Sequence, residues 1–305
     1  MAVFVTGATG LVGRHFVSTV SEQIIAGTRS GTLPSDISNN LKNVKLDLTD
    51  EQTVDNIPWE DVETVVHLGA YTAPRDSVNQ PHQCFKTNAS GTSALLAAAA
   101  SYGVSNFINI SSYWVYDSGV TGEINESSPV RVETPYGASK AAAELQCDAI
   151  RVQSEMAVTT LRPFNIYGPG GRVHQVIPEF INQAVEDGVI EPHPGNPVRD
   201  FLYVDDFVEA IVTCCESDTS DVYNVGYGEG TSIHVLAETV SEEVERQTGQ
   251  SVETRFSGDP DPTDSKVADT TKLRNTVDWK PSIPLSSGIK KLTTHYINAN
   301  NVDDT

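Results

Sequence analysis

The sequence has no long apolar run, and this shortage excludes a membrane-spanning protein. No segment of the 305 residues approaches the length of about 20 apolar residues that crosses a bilayer. The first residues, MAVFVTGATG, show neither the basic segment nor the cleavage site of a secretory leader. We therefore expect a cytoplasmic protein with no membrane partner.

Cysteine is also scarce, and its positions argue against a metal site. The four cysteines are Cys84, Cys147, Cys214 and Cys215, and their spacing matches no metal-binding motif. Cys214 and Cys215 are adjacent in the apolar segment FVEAIVTCCE, which is typical of small buried residues. We expect free thiols in a reducing compartment.

Positive charge is the third shortage. The chain has 41 acidic residues against 20 lysines and arginines, a formal net charge of -21. A nucleic-acid partner is not expected, because phosphate binding requires a basic surface. Acidic residues spread along the whole chain resemble the composition of halophile proteins, in which salt screens the repulsion between like charges. An acidic enzyme from a non-halophile is the alternative.

The first 165 residues alternate short apolar segments with helix-like segments, the pattern of βαβ units around a parallel sheet. Alanine-rich residues 90–103 predict one of the helices. We predict a Rossmann-type, doubly wound α/β domain over residues 1–165. Stretches rich in glycine and proline follow, so residues 166–305 are predicted to form a smaller substrate-binding region interleaved with the Rossmann core. The candidate strands are residues 2–7, 23–28, 43–48, 64–70, 106–112 and 157–165.

Three glycines follow the first predicted strand. Gly7, Gly10 and Gly13 lie in VTGATGLVGRHFV, where a helix is predicted to begin. Glycine permits a tight turn and lets the backbone approach a pyrophosphate, which then lies at the positive end of the helix. The position after the first strand of a βαβ series predicts a dinucleotide-binding loop rather than an ordinary strand-helix turn.

The end of the second predicted strand bears on which dinucleotide binds. Thr28 stands where an NAD-binding carboxylate is expected, and Arg29 and Ser30 follow it. Arg29 could bind the 2'-phosphate of NADP, so NADP is the preferred cofactor and NAD a possible one; Arg29 could instead point into water. Asp47, beside Leu48, could accept a hydrogen bond from the adenine amino group or could be an ordinary turn aspartate.

A tyrosine and a lysine four residues apart suggest catalysis. Tyr136 and Lys140 lie in TPYGASKAAAE, and a helix would place them on one face. A phenol, whose reference pKa is about 10, needs positive charge nearby to act as a base, and Lys140 with an oxidised nicotinamide would supply it. Ser112, at the end of the fifth predicted strand, could orient the reacting hydroxyl. Singly these residue types are common on surfaces, but together with the glycine loop they predict hydride transfer at a hydroxyl-bearing carbon.

From residue 2 to about residue 290 the chain resembles the extended short-chain dehydrogenases/reductases of the sugar epimerase and dehydratase group. The resemblance implies Tyr136 as the acid/base, with Lys140 and Ser112 as its partners. It also implies a homodimer formed through two helices of each subunit, one of which carries YGASK. The matching segments are TGATGLVG, DL at 47–48, HLGA at 67–70, NASGT at 88–92, SSYWVYD, YGASK, LRPFNIYGP, RDFLYVDD and YNVG.

The same resemblance implies the residues around the ligands. The implied cofactor-lining residues are His67, Leu68, Gly69, Ala70 and Asn88. The implied substrate-side residues are Ser112, Tyr113, Asn165 and Arg199. On chemistry alone, Asn165 could equally cap a turn, and Arg199 could pair with Asp200 or Asp205 as scaffolding.

The chain departs from the pattern of the group in three segments. Dehydratases carry an Asp-Glu pair where this chain has Tyr113 and Trp114, so elimination is not expected. Where epimerases pack an apolar-aromatic pair on uracil, the chain has Glu191 followed by proline. Phe256 stands where a second phosphate-binding arginine is expected, because Arg255 comes one position early.

These departures, with Thr28, favour an NADP-preferring aldose 1-dehydrogenase acting on a sugar such as arabinose, another pentose or galactose. Tyr136 would remove the anomeric hydroxyl proton, hydride would pass to the nicotinamide, and a lactone would form. The alternative is an enzyme similar to UDP-glucose 4-epimerase, with tightly bound NAD. A third hypothesis is a cofactor-binding regulator without chemistry, against which the presence of Ser112, Tyr136 and Lys140 argues.

Overall fold

The computed structural model describes residues 2–34, 37, 41–217, 219–257 and 264–303. The strands are β1 Ala2–Thr6, β2 Ile24–Thr28, β3 Lys42–Lys45, β4 Val62–His67, β5 Asn106–Ile110, β6 Gly122–Ile124, β7 Ala157–Pro163, β8 Asn165–Tyr167, β9 Val189–Ile190, β10 Val198–Tyr203, β11 Val222–Val225, β12 Gly230–Ser232, β13 Glu253–Thr254 and β14 Ser265–Ala268. The helices are α1 Leu11–Thr19, α2 Pro81–Phe85, α3 Gly91–Ser101, α4 Pro135–Gln153, α5 Val176–Glu186, α6 Val204–Cys215, α7 Ile233–Thr248, α8 Thr271–Thr276 and α9 Leu285–Asp303.

A parallel sheet of seven strands forms the centre of the described structure, in the order β11-β7-β5-β4-β1-β2-β3. The chain builds outward from β1 through β2 to β3, then returns to the other side of β1 with β4. The strand order therefore reverses between β1 and β4. Ligands of such sheets bind in the crevice at the carboxyl ends of strands at this reversal. The Rossmann-type α/β fold predicted from the sequence is confirmed.

The central strands are almost entirely buried because helices cover both faces of the sheet. Successive residues of a strand point to opposite faces. One face belongs to an apolar cluster that includes Phe4, Val65, Phe107, Val158 and the α3 residues Leu95 and Leu96. The other belongs to a cluster that includes Val5, Val66, Ile108, Leu161 and residues of α1, α5, α6 and α7. Within the described ranges, no helix has both the length and the apolar character needed to cross a membrane.

Two strands are exchanged between the halves of the chain. β6, from the first half, pairs with β14, so that Gly122 lies opposite Lys266 and Ile124 opposite Ala268. β11, from the second half, pairs with β7 at the edge of the main sheet. The smaller sheet has the order β12-β10-β14-β6, with β8 also pairing with β10. Strand pairing thereby joins each half of the chain to the sheet of the other half.

Several strands end earlier than the apolar pattern predicts, because polar side chains bind the backbone at those points. The fifth predicted strand ends at Ile110, and the Ser112 hydroxyl then accepts a hydrogen bond from the Trp114 amide at 3.3 Å. The third predicted strand ends at Lys45, and the Asp47 carboxylate accepts one from the Thr49 amide at 2.9 Å. Such local bonds compete with strand pairing.

Candidate active site

The glycine loop forms a cradle that side chains would fill. Gly7 has φ +70°, and a Cβ there would lie 2.8 Å from the Gly69 amide nitrogen. A Cβ on Gly13 would lie 2.2 Å from the Gly7 carbonyl oxygen. Gly10 precedes α1 as its N-cap and has no side chain to occupy the first amides of the helix. These amides and the close backbone approach fit the pyrophosphate of a nicotinamide dinucleotide.

His67 lies beneath the loop that is predicted to line the cofactor. The ring is 3% exposed, with Nδ1 2.8 Å from the Thr6 hydroxyl and Nε2 2.9 Å from the Thr92 hydroxyl. Burial lowers the pKa of His67 to about 3, so the ring is neutral. Thr92 donates to the Asn88 carbonyl and therefore accepts from Nε2, which leaves Nδ1 to accept from Thr6. The Thr6 hydroxyl also accepts a hydrogen bond from the Gly69 amide at 2.8 Å. His67 therefore positions the backbone at Gly69 through Thr6, and its ring is buried beneath the loop.

Asn88 acts on the same loop from the other side. Its Oδ1 accepts from the Tyr71 amide at 2.7 Å, and its Nδ2 donates to the Tyr71 carbonyl at 3.1 Å. Nδ2 also donates to the Ser139 hydroxyl of α4 at 2.9 Å. These bonds connect the segment after Ala70 to α4, the helix that carries the predicted base. Asn88 is buried, at 1% exposed, while Leu68 and Ala70 are half-buried.

The ends of β2 and β3 carry the residues predicted to bind adenosine. Arg29 is exposed, and the hydroxyls of Thr28 and Ser30 both donate to the Thr32 carbonyl. The hydrogen bond from the Thr49 amide lowers the pKa of Asp47, and the charge of Arg29 acts in the same direction. A cavity lies beside them, lined by Leu48, Thr49, Glu51, His82, Phe85, Lys86 and Ser90.

The structure brings Ser112, Tyr136 and Lys140 together. Helix α4 begins after Thr134, whose hydroxyl accepts from the Gly137 amide at 3.1 Å, so the predicted pair lies on the first two turns. Both side chains are buried, at 7% and 6% exposed. The Ser112 hydroxyl lies near the Tyr136 phenol and acts to lower its pKa. Lys140 Nζ donates to the Ile110 carbonyl at the end of β5, at 2.7 Å.

Burial controls the protonation of this group. It raises the pKa of the Tyr136 phenol to about 12, while the Ser112 hydroxyl and the charge of Arg172 act in the opposite direction. It lowers the pKa of Lys140 to about 8. The phenol is therefore neutral near pH 7 in the protein alone, and additional positive charge is needed before it can act as a base.

A buried ion pair lies one turn further along α4. Arg162 of β7 binds Glu144 with two hydrogen bonds, of 2.9 and 2.6 Å, and both side chains are 7% exposed. Arg162 also donates to the Tyr116 hydroxyl at 2.9 Å, which donates to Asn224 of β11 at 2.6 Å. The sequence does not predict this ion pair, because Glu144 lies on α4 and Arg162 on β7. The one sequence feature that points to Glu144 is its position four residues after Lys140, on the same helix face.

Tyr113 and Asn165, both predicted to face the substrate, are in contact. The Tyr113 ring stacks on Phe164 with centroids 5.1 Å apart, and its hydroxyl donates to Asn165 Oδ1 at 3.3 Å. Asn165 Nδ2 donates to the Asp200 carbonyl at 2.8 Å, which fixes the amide. Asn165 therefore joins β8 to β10 and presents its oxygen toward Tyr113.

Arg199 pairs with Asp264, at 2.6 Å, and not with either aspartate considered from the sequence. Both of those are otherwise engaged. The Asp200 carboxylate is fully buried and accepts from the amides of Tyr227, Gly228 and Ala268. Asp205 binds His15 of α1 at 2.8 Å. The expected scaffolding partners were thus wrong because they face other elements.

The segment where epimerases hold the base contains ions of both signs. β9 pairs with β13, which brings Arg255 to Glu191 at 3.1 Å, while Arg255 also binds Glu253 at 2.8 Å. Phe256 packs on His234 with ring centroids 4.0 Å apart. The Arg255 charge is therefore neutralised by carboxylates within this region.

A family model described as the NAD dependent epimerase/dehydratase family matches residues 3–226 of the chain. The protein belongs to this family. The resemblance drawn from the sequence motifs is thereby confirmed at the level of the family, whose description names both the coenzyme and two reaction classes.

Similar proteins within the family extend over nearly the whole chain. The low-salt glycan biosynthesis protein Agl12 of Haloferax volcanii is 28% identical, over 97% of this chain and 99% of that protein. The UDP-glucose 4-epimerase of Thermotoga maritima, solved with UDP-glucose, is 26% identical with a TM-score of 0.88, covering 98% of this chain and 100% of that one. The UDP-glucose 4-epimerase of Thermus thermophilus, solved with NAD, is 27% identical with a TM-score of 0.86, at the same coverage.

Proposed function

We propose that this protein is a nucleotide-sugar 4-epimerase that uses a nicotinamide dinucleotide and the Tyr136 phenol. The observation that carries the proposal is the meeting of Ser112, Tyr136 and Lys140 at the carboxyl end of β5, in the same crevice as the Gly7 cradle. The likeness to two UDP-glucose 4-epimerases over 98% of the chain supports the substrate class.

Each residue of the group would have a distinct role. Tyr136 takes the proton from the sugar hydroxyl and later returns it, while Ser112, whose hydroxyl lies near the phenol, orients the sugar hydroxyl. Lys140 contributes an ammonium group, held by the Ile110 carbonyl, that favours phenolate. When bound, the oxidised nicotinamide supplies the hydride acceptor and a second positive charge. Burial excludes water from the phenol and strengthens these charge effects.

The residues after Ser112 favour epimerisation over elimination. Tyr113 and Trp114 occupy the two positions at which dehydratases carry an acid and a base. The Tyr113 hydroxyl is bonded to Asn165, and burial raises the pKa of that phenol, so it does not replace a carboxylate. Without such a pair, loss of water from the oxidised sugar has no acid/base catalyst at this position.

An aldose 1-dehydrogenase is the second candidate, and the Glu191–Arg255 ion pair favours it. A carboxylate bound to Arg255 at 3.1 Å is poorly suited to pack against a nucleobase. A free aldose would need no nucleotide contact there. Tyr136 would then remove the proton of the anomeric hydroxyl, the C1 hydrogen would be transferred as hydride to the nicotinamide, and the sugar would leave as a lactone.

One assay in molar KCl separates the two candidates. The purified protein is given UDP-galactose without added coenzyme, and in parallel free arabinose, xylose or galactose with NAD or NADP. If UDP-glucose forms and no reduced coenzyme accumulates with the free sugars, the result supports the epimerase. Growth of reduced coenzyme on a free aldose, with UDP-galactose left unchanged, rejects the epimerase in favour of the dehydrogenase.

The choice of coenzyme depends on the end of β2. Thr28 offers no carboxylate to the ribose hydroxyls, and the exposed Arg29 supports acceptance of a 2'-phosphate; the family description favours NAD. We expect Arg29→Asp to weaken NADP binding about tenfold or more with little loss of NAD, because one cation becomes an anion. Titrations with both coenzymes measure the ratio of the NADP and NAD dissociation constants. If Arg29→Asp leaves this ratio unchanged, Arg29 faces solvent and does not contact the coenzyme.

A further inference from the structure

Lys140 and Glu144 lie one turn apart on α4, and each is held by a different strand of the main sheet. Residues four apart on a helix share a face. Lys140 Nζ donates to the Ile110 carbonyl at the end of β5, at 2.7 Å. Glu144 accepts two hydrogen bonds from Arg162 of β7, at 2.9 and 2.6 Å. The part of α4 that carries the predicted base is therefore attached to two neighbouring strands.

The two points of attachment are bonded to each other. Ile110 lies opposite Leu161 in the pairing of β5 with β7, and the amide that follows Ile110 donates to the Leu161 carbonyl at 2.8 Å. Arg162 is the next residue along β7. The contacts therefore close a ring that runs from α4 through β5 and β7 and back to α4 at Glu144. The end of α4 cannot slide along the sheet without breaking one of these bonds.

Arg162 also contacts the turn that follows Ser112. Its Nη1 donates to the Tyr116 hydroxyl at 2.9 Å, and its guanidinium carbon lies 4.8 Å from the centre of the Tyr116 ring. Tyr116 ends the short 3-10 turn that begins directly after Ser112. The Tyr116 hydroxyl donates in turn to Asn224 of β11 at 2.6 Å. One buried guanidinium thus holds both elements that carry the predicted catalytic group.

The ion pair also bears on the charge of Lys140. Burial lowers the pKa of Lys140, and Cys84, Glu144 and Cys147 act in the opposite direction. Burial raises the pKa of both thiols, so they are neutral near pH 7, and Glu144 is the carboxylate among the three. The Glu144 carboxylate, one turn away on the same helix, therefore favours the ammonium form of Lys140.

We propose that Glu144 and Arg162 are positioning residues for catalysis. They hold the Lys140 ammonium and the Ser112 hydroxyl around the Tyr136 phenol, and neither acts on the reacting atoms directly. A displacement of about 1 Å in such a group can cost about 100-fold in rate, so the ring of contacts matters beyond the stability of the fold. The inference rests on the proposed use of Tyr136 as the acid/base, and it applies to either candidate reaction.

Three variants separate the charge, the geometry and the fold. Glu144→Gln removes the charge and keeps the shape, while Arg162→Lys keeps the charge and loses the planar two-point contact. Removing one partner of a buried ion pair leaves an unpaired charge, so Glu144→Leu combined with Arg162→Met replaces the whole pair with apolar side chains of similar size. Asp148→Asn is the matched control, because Asp148 is half-exposed and paired with Arg151 on the same helix. Urea unfolding first establishes that each variant is folded under the assay conditions.

The readouts are kcat, KM and the pH profile of kcat, on whichever candidate reaction the wild type catalyses. We expect kcat to fall about tenfold or more in all three variants, with KM changed less than about twofold. The rise of kcat with pH is expected to move to higher pH in Glu144→Gln and in the double variant, because a less favoured ammonium favours phenolate less. Arg162→Lys keeps both charges and is expected to shift the profile less. The control is expected to match the wild type.

A role in folding alone predicts a different result. Wild-type kcat and a wild-type pH profile in the folded double variant overturn the inference. Failure of the proposed function is seen instead in the wild-type chain, as UDP-galactose left unchanged. If the wild type catalyses neither reaction, NMR of lysines labelled with ¹³C at Cε decides, with Lys140→Met identifying the resonance. The Lys140 ammonium is expected to lose its proton at lower pH in Glu144→Gln than in the wild type, and an unchanged titration overturns the inference.

Discussion

Tyr136 combines nearly complete burial with a nearby Ser112 hydroxyl, and these two features set the pKa of its phenol. Burial raises the pKa of the phenol to about 12, so the protein alone keeps it protonated. In the proposed mechanism, a bound oxidised coenzyme would add the positive charge that favours loss of this proton. Coenzyme binding would then be a condition for forming the base.

Tyr136→Phe tests this assignment. The variant loses the acid/base but keeps the ring, so we expect turnover to fall by about 1,000-fold or more while coenzyme affinity changes less than about twofold. Steady-state rates and a coenzyme titration measure the two quantities. Tyr102→Phe is the control, because Tyr102 is 58% exposed at the end of α3. If Tyr136→Phe keeps most of the wild-type rate, another group is the base.

Sequence spacing predicts that Tyr136 and Lys140 lie on one helix face, and both lie on the first two turns of α4, because their relation depends only on helix periodicity. Ser112 follows from the end of a strand, which is also a local property. The partner of Arg199 could not be predicted, because Asp264 is 65 residues away and meets it only through the pairing of β10 with β14. The Glu144–Arg162 ion pair could not be predicted for the same reason, because the order of elements along the chain does not determine which side chains of different elements meet.

At the scale of elements, His15 joins three parts of the fold. Its Nδ1 lies 2.8 Å from Asp205 of α6, and its Nε2 lies 3.1 Å from the Pro169 carbonyl of the 168–175 loop. Both partners are acceptors, so the ring makes both bonds only as imidazolium. The Asp205 hydrogen bond accordingly raises the pKa of His15, and Lys291 lies 3.7 Å from the same carboxylate.

His15→Gln tests this junction. A raised pKa in the folded state gives stability that is fully present below about pH 6.5, the unfolded value, and is lost as pH rises through the folded pKa. We expect wild type to exceed the variant by about 1 kcal/mol in free energy of unfolding at pH 6, with a smaller difference at pH 9. Urea unfolding at both pH values measures it. A difference that does not depend on pH would mean that His15 acts through packing alone.

Element boundaries were less predictable than element types. The alternation of apolar segments gives the parallel strands, but polar residues decide where each ends. Ser112 and Asp47 each bind a backbone amide two residues ahead and so end the strand early. These bonds depend on side-chain geometry that an apolar pattern does not contain.

For the whole molecule, a net charge of -21 predicts dependence on salt. The Debye length falls from about 10 Å at 0.1 M salt to about 3 Å at 1 M, so repulsion among the carboxylates weakens. We expect the free energy of unfolding to rise by about 2 kcal/mol or more between 0.1 and 2 M KCl, measured from urea midpoints. Sucrose of equal osmolality is the control. If the urea midpoint does not change with KCl, or rises equally in sucrose, the result argues against a halophile protein.

The outer face of α4 predicts the oligomeric state. Leu145 and Val152, seven residues apart, are 71% and 86% exposed on the side opposite Tyr136 and Lys140. We propose that a second copy covers them. Leu145→Glu combined with Val152→Glu is expected to reduce the mass in light scattering from two chains to one, because charge opposes burial. Val235→Glu, at an apolar residue 51% exposed on α7, is the control, and an unchanged mass of the double variant excludes this interface.

The strand exchange between β6 and β14, and between β11 and β7, has a consequence for biosynthesis. A nascent chain that has emerged as far as β7 lacks the edge strand of its main sheet, since β11 begins at Val222. Strand β6 stays unpaired for longer, because its partner β14, Ser265–Ala268, is synthesised later still. Contacts so distant in sequence slow folding and prolong exposure of unpaired edges. We therefore expect the protein to reach its native state after translation, as one cooperative unit, and a chain ended after residue 165 to be a client of chaperones.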